Sequence, residues 1–126
     1  MLVSIIITNH NYGKYLARCL RSCLDQSLDK SDYEIIVVDD CSTDNSKLII
    51  KKFLREKNIK IFFTKKNLGV AAAANLGIKK SKGKYFVRID SDDYVSKDFC
   101  KFLYLYLDSN PKLFCVSCNY YLVNEN

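Results

Sequence analysis

The sequence predicts an α/β fold, a mainly parallel sheet flanked by helices, and three observations carry that expectation. Short runs of β-branched and apolar residues alternate with longer stretches whose apolar residues recur at helical spacing, the pattern of successive βαβ units. The strand-like runs are mostly apolar throughout, as strands buried on both faces of a parallel sheet require. Polar clusters stand directly after these runs, and open α/β sheets bind ligands beyond the carboxyl ends of their strands.

Val3 to Thr8 is the first run and ends in the polar turn Asn9-His10-Asn11-Tyr12-Gly13. From Lys14 to about Leu28, residues Leu16, Cys19, Leu20, Cys23, Leu24 and Leu28 share one helical face. Glu34 to Val38 is a second buried strand, ending in Asp39-Asp40. Ser42-Thr43-Asp44-Asn45 supplies capping chemistry for a helix to about Glu56, with Leu48, Ile49, Phe53 and Leu54 as its core face. Ile59 to Thr64 is a third strand, and Asn67-Leu68-Gly69 turns the chain. Val70 to about Lys80 is a helix carrying four consecutive alanines, small enough to let a backbone or ligand approach closely. Lys84 to Ile89 reads as a fourth buried strand that runs straight into Asp90, Asp92 and Asp93. Lys97 to about Ser109 is a helix stopped by Asn110-Pro111, and Leu113 to about Leu122 is a fifth strand. With no internal repeat or linker, residues 1–126 are expected to form a single domain.

At 126 residues, 48% hydrophobic, with one Pro and four Gly, the chain is long and apolar enough to bury a core. The N-terminal run Leu2 to Ile7 is too short for a signal peptide or membrane span, and no basic region precedes it. The expected location is therefore the cytoplasm, or the inner face of a membrane if this is the catalytic segment of a larger peripheral protein. The net charge of +6 suits an anionic ligand, a membrane surface or nucleic acid. The lysines between Lys47 and Lys84 are scattered rather than gathered into a basic block interleaved with aromatics, so no nucleic acid is expected. The six cysteines include one lone C-x-x-C, Cys115 and Cys118, and the chain has one His. A zinc site needs four ligands at recognisable spacing, so buried, reduced thiols are expected instead.

The Asp90-Ser91-Asp92-Asp93 cluster is the sharpest chemical feature. Carboxylates this close raise one another's pKa unless a positive charge sits among them. A divalent cation would remove the conflict, and Asp-x-Asp offers the hard oxygen ligands that Mg²⁺ or Mn²⁺ takes. The plain alternative is a solvated strand-to-loop turn. However, the ends of three other strands, Thr8 to Asn11, Asp39-Asp40 and Asn67 to Gly69, should converge on the same edge. That combination suggests a nucleotide plus a metal.

Four motifs, Val3 to Asn11 (VSIIITNHN), Val37 to Ser46 (VVDDCSTDNS), Asn67 to Ile78 (NLGVAAAANLGI) and Gly83 to Tyr94 (GKYFVRIDSDDY), resemble family 2 glycosyltransferases with a GT-A, Rossmann-like fold. The resemblance spans nearly the whole chain in the family's order. It implies that Thr8 and His10 cradle the nucleotide base, His10 standing where a stacking aromatic is common. Asp40 would hydrogen-bond the base and Asp39 support the turn, with Asn11, Asn67 and Gly69 completing the nucleotide-binding set. Asp92 would coordinate Mn²⁺ or Mg²⁺ on the diphosphate, and Asp90 would orient the ribose or a metal-bound water. The implied partners are a nucleoside-diphosphate sugar, a UDP-sugar foremost, and a glycan, lipid or other hydroxyl acceptor. The implied reaction is metal-dependent sugar transfer, a direct displacement with inversion.

Two features depart from the family pattern. Ala74 stands where an Arg that assists the diphosphate is usual. The catalytic base is expected beyond Asn126, because Asp98, Asp108 and Glu125, the carboxylates after Asp93, lie in no recognisable base motif. The chain is thus expected to be the N-terminal portion of a longer enzyme, its fold incomplete at the C-terminus; the alternative is a non-catalytic module that binds a nucleotide sugar. Two other Asp-bearing classes fail on position. A phosphohydrolase of the haloacid-dehalogenase type needs its Asp-x-Asp after the first strand and Thr or Val at the place of Tyr94. A receiver domain needs its acidic pair after the first strand and an Asp after the third, where Thr64-Lys65-Lys66 stands.

Overall fold

The computed structural model describes residues 1–124, so Glu125 and Asn126 lie outside the described residues. Strands and helices alternate as β1 (Val3–Asn9), α1 (Gly13–Leu24), β2 (Tyr33–Asp39), α2 (Ser46–Lys51), β3 (Ile59–Phe63), α3 (Val70–Lys80), β4 (Tyr85–Asp90) and α4 (Phe99–Ser109). All strand pairings are parallel, in the order β3-β2-β1-β4. Thr8 lies beside Val38 and Asp90, and Asn9 beside Asp39, so the strands that carry the polar clusters finish level.

β1 and β2 are buried at every position, as their unbroken apolar runs require. One face of the sheet, with Ile5, Ile7, Ile35 and Val37, packs on Leu16, Cys19, Leu20 and Cys23 of α1, Ile50 of α2 and Cys100 of α4. The other presents Ile36 and Val38 to Ala73 of α3. The small residues of α3 permit a close approach: a Cβ on Gly77 would lie 2.5 Å from Cγ2 of Ile6.

Glu34, only 1% exposed, is the polar knot at the amino end of the sheet. Its carboxylate accepts from the Ser4 hydroxyl, the Lys60 ammonium and the Lys82 N–H, joining β1, β2, β3 and the loop before β4. Burial by itself would raise this acid, but those three donors outweigh it and hold the Glu34 carboxyl below its ordinary range.

Several expectations need correction. β4 is an edge strand among the described residues, with Phe86 55% exposed and Arg88 exposed, rather than buried. α1 ends at Leu24, although Leu28 still packs against the core. α2 ends at Lys51 and continues as turns whose N–H groups bond three residues back, from Lys52 to Ile49 and from Phe53 to Ile50. Of the expected core face, Ile49 and Phe53 pack against the core. Leu48 and Leu54 are 64% and 63% exposed, while Ile50 fills the core.

α4 starts at Phe99 rather than Lys97. The expected fifth strand, Leu113 to Leu122, is irregular, because a β-rich composition forms no ladder without a partner edge. Cys115 and Cys118 are accordingly exposed rather than buried, while Cys19, Cys23 and Cys100 are buried. All six are free, and burial pushes the Cys100 thiol up to about 12. No helix among the described residues is long and apolar enough to cross a membrane.

Candidate functional site

Level strand ends, with α3 beside them, enclose a cavity of about 450 Å³ at the carboxyl edge of the sheet. Of the residues expected there, Thr8, His10, Asp40, Asn67, Gly69, Asp90 and Asp92 line it. Asn9, Tyr12, Val70, Ala73 and Ser91 also line it and were not anticipated as binding residues. The four-alanine run of α3 was the available hint for Ala73.

Asn11 and Asp39 do not line the cavity and act as braces, Asp39 buried and Asn11 exposed. Asp39 is fully buried, and its Oδ1 accepts from Asn9 Nδ2 (2.8 Å) and the Ser42 hydroxyl (2.6 Å). Those bonds fix the Asn9 amide and leave its Oδ1 buried without a hydrogen-bond partner among the described residues. Asn11 adopts φ 60°, and its side-chain oxygen accepts from the N–H groups of Thr43 (2.7 Å) and Asp44 (3.2 Å). Asp44 in turn accepts from the N–H groups of Gly13 (2.8 Å) and Ser46 (2.9 Å), so one carboxylate starts both α1 and α2. The loops after β1 and β2 are therefore tied into one rigid unit.

Asp40 joins that unit to the loop before α3. Its carboxylate accepts from the Thr64 hydroxyl (2.8 Å), from Leu68 N–H (2.9 Å to each oxygen) and from Gly69 N–H (2.8 Å). Burial acts to raise this acid, but the Leu68, Thr64 and Gly69 bonds outweigh it and keep the carboxyl below its ordinary range. Gly69, at φ 85°, supplies the left-handed turn that lets both N–H groups converge.

His10 completes the wall with a defined tautomer. Its Nδ1 lies 2.6 Å from the Asp40 carbonyl oxygen, which only accepts, so Nδ1 carries the proton. Nε2 then offers its lone pair to the Asn67 amide nitrogen at 3.1 Å. The orientation of that amide is set by its oxygen, which accepts from Gly69 N–H at 2.9 Å.

The acidic turn forms the opposite wall. Arg88, two residues earlier on the same strand face, makes a two-pronged ion pair with Asp90, each contact at 3.1 Å. Asp93 is raised above the ordinary carboxylate range by burial and by its neighbours Asp92 and Asp90, with Arg18 and Arg88 opposing.

Among the described residues, no three His, Cys, Asp or Glu side chains converge on one metal position. Asp90 and Asp92, however, both line the cavity, Asp90 with its carboxylate paired with Arg88 and Asp92 with no arginine paired to its carboxylate among the described residues. Mg²⁺ is ordinarily held by one or two carboxylates together with the phosphates of its ligand, so this oxygen donor set fits a cation whose coordination a diphosphate completes.

A parallel α/β sheet that gathers carboxylates, a histidine and a small-residue helix around one cavity at its carboxyl edge has the layout in which open α/β domains bind small molecules. The model of glycosyl transferase family 2 matches residues 4–126. An uncharacterized glycosyltransferase of Haemophilus influenzae is 43% identical over 98 residues, 77% of this chain and 38% of its own length. The poly(ribitol-phosphate) β-N-acetylglucosaminyltransferase TarS of Staphylococcus aureus, in its crystal structure with UDP-GlcNAc, superposes with a TM-score of 0.82 at 32% identity. That match covers 88% of this chain and 32% of the TarS chain. A mannosyltransferase of Pyrobaculum calidifontis, solved with GDP-Man and Mn²⁺, shares the fold at TM-score 0.69 and 21% identity. The chain belongs to glycosyl transferase family 2, and its fold is GT-A. It spans well under half the length of these relatives.

Proposed function

We propose that this chain is the donor-binding portion of a glycosyltransferase that moves a sugar from a nucleoside diphosphate to the hydroxyl of a glycan, lipid or other acceptor. The observation that carries the reading is the cavity where Thr8, His10, Asp40, Asn67, Gly69, Asp90 and Asp92, from four separate strand ends, meet around about 450 Å³. A UDP-sugar is the proposed donor, since the 32% identical TarS structure holds UDP-GlcNAc.

In this reading Thr8 and His10 receive the base, with the Nδ1–H tautomer keeping the imidazole oriented. Asp40 holds the 67–69 loop against the base and reaches it with whatever acceptor capacity the loop leaves free. Asn11 and Asp39 contribute by holding the loops after β1 and β2. Asp90 and Asp92 face the diphosphate and would hold Mn²⁺ or Mg²⁺. When bound, that ion supplies Lewis-acid stabilisation of the charge developing on the departing diphosphate. With Ala73 and Ala74 on α3, the helix offers the phosphates room rather than a charged group.

Displacement with inversion needs a carboxylate to take the acceptor's proton. Asp98 and Asp108 do not line the cavity, and Asp108 is paired with Lys84. Glu125 lies outside the described residues, and on the family resemblance we assign the base to a part of the enzyme beyond residues 1–126. The proposed site of action is the cytoplasm or the inner face of the membrane. The cavity and the distance of Asp98 and Asp108 from it equally fit a non-catalytic module, which sugar transfer by the chain would exclude.

The test is calorimetric titration with UDP, GDP, CDP and dTDP, each with and without Mn²⁺. Binding of one nucleotide, strengthened by the metal, is the expected result. A folded chain that binds none of the four would defeat the proposal.

A further inference from the structure

α1 and the turn after it hold the main chain from the end of β4 to the start of α4. Cys19 Sγ donates to the Asp90 carbonyl (3.6 Å), the Ser22 hydroxyl accepts from Val95 N–H (3.2 Å), and Gln26 both donates to the Ser96 carbonyl and accepts from Cys100 N–H (2.9 Å each). Cys19 and Ser22 stand three apart on the helix, and Gln26 follows in the turn just past its end. Arg18, also on α1, reaches the acidic turn itself. Its Nη2 donates to the Asp92 carbonyl at 3.0 Å. The guanidinium lies 4.7 Å from the Tyr94 ring centroid and 5.7 Å from that of Tyr15. Two aromatic faces and a carbonyl thus fix a side chain that would otherwise be free to move.

The turn is closed by Asp93 N–H donating to the Asp90 carbonyl (3.0 Å). That bond ties the Asp92–Asp93 peptide through its N–H, and Arg18 holds the same peptide from its other side, through the carbonyl. Rotation of this peptide would swing the Asp92 carboxylate, which lines the cavity.

We propose that Arg18 is a positioning residue: by gripping the Asp92 carbonyl it aims the Asp92 carboxylate at a divalent cation carried on a diphosphate. The inference rests on the reading of the cavity as a nucleotide-diphosphate site. The competing view is an exposed arginine stacked on two tyrosines for stability alone. The two views separate because stability would act on all binding, whereas aim acts only on the part that needs the metal.

The experiment compares wild type, Arg18→Met and Arg18→Lys, titrated with UDP in the presence and absence of Mn²⁺, with amide hydrogen exchange measured on the same proteins. Partners that orient a metal ligand typically matter about 10- to 100-fold, so Arg18→Met should lose at least about tenfold of the Mn²⁺-dependent affinity while metal-free UDP affinity holds. Arg18→Lys, which keeps the charge but not the planar fork, should recover only part of the loss. Exchange at the Asp93 amide should accelerate in Arg18→Met while β1 and β2 amides keep their protection. Unchanged Mn²⁺-dependent affinity, or equal losses with and without metal, overturns the proposal. If wild type shows no Mn²⁺-dependent binding, the donor-site reading fails. Asp93 exchange then decides whether Arg18 holds the turn: acceleration supports that hold and unchanged exchange overturns it.

Discussion

Replacing Asp40 by Asn should release the loop that closes one side of the cavity. The carboxylate takes three donors, the Thr64 hydroxyl and the N–H groups of Leu68 and Gly69, with the residue only 3% exposed. An amide keeps one accepting oxygen and turns an NH₂ group toward donors. One N–H then loses a bond to a charged acceptor, worth about 1.5–3 kcal/mol, or stays buried unpaired at about 1–3 kcal/mol. The expected destabilisation is about 2–4 kcal/mol, a large share of the roughly 5–15 kcal/mol that holds a domain together. Urea unfolding followed by circular dichroism reads it directly.

The pH dependence supplies a second check. The folded Asp40 carboxyl sits below its ordinary value of 3.8. Its contribution is therefore fully present above that value and is lost as pH falls through the lower folded value. The gap between wild type and Asp40→Asn should be widest near neutrality and narrow in acid. A variant within about 0.5 kcal/mol of wild type at neutral pH, or a gap that does not narrow in acid, refutes the reasoning.

Three further outcomes are expected. Glu34→Gln removes the negative charge that meets Lys60, Ser4 and Lys82; because Lys60 is partly solvated, the cost should be about 2 kcal/mol at neutral pH rather than the full 3–5 of a dry pair. In acid titration this contribution disappears as pH drops below 4.5 toward the lower folded value, and a variant as stable as wild type at neutral pH would count against the knot. Gly77→Ala gains about 1 kcal/mol of helix propensity but drives a methyl to 2.5 Å from Ile6, at about 1–3 kcal/mol, so the thermal midpoint should fall. Cys41 holds φ 59°, a left-handed conformation that costs a non-glycine residue of order 1 kcal/mol or more; Cys41→Gly should raise the urea midpoint, and a lower one would show that no strain is stored there.

Much of this fold is legible because β1 and β2 are apolar up to their carboxyl ends apart from Ser4 and Glu34, and those two bond to each other. The cavity is legible for a related reason: parallel strands end on one side, so Thr8, Asp40 and Asp92 had to meet wherever the sheet was right. Segment 113–122 misled because composition states a preference for strand but supplies no neighbour to pair with. α2 misled because three-residue turns follow its sixth residue, and periodicity assumes 3.6. Arg88 beside Asp90 was available from the two-residue period of a strand. The bond between Arg18 and Asp92 spans 74 positions and leaves no trace in local pattern.

The central claim is that the carboxyl edge of this sheet binds a nucleotide diphosphate through Asp92 and a divalent ion. Titration of wild type and Asp92→Ala with UDP, with and without Mn²⁺, tests it most directly. The account predicts that Mn²⁺ strengthens UDP binding to wild type and that Asp92→Ala abolishes this gain while remaining folded. Equal strengthening in both proteins, or no binding by either, would contradict it.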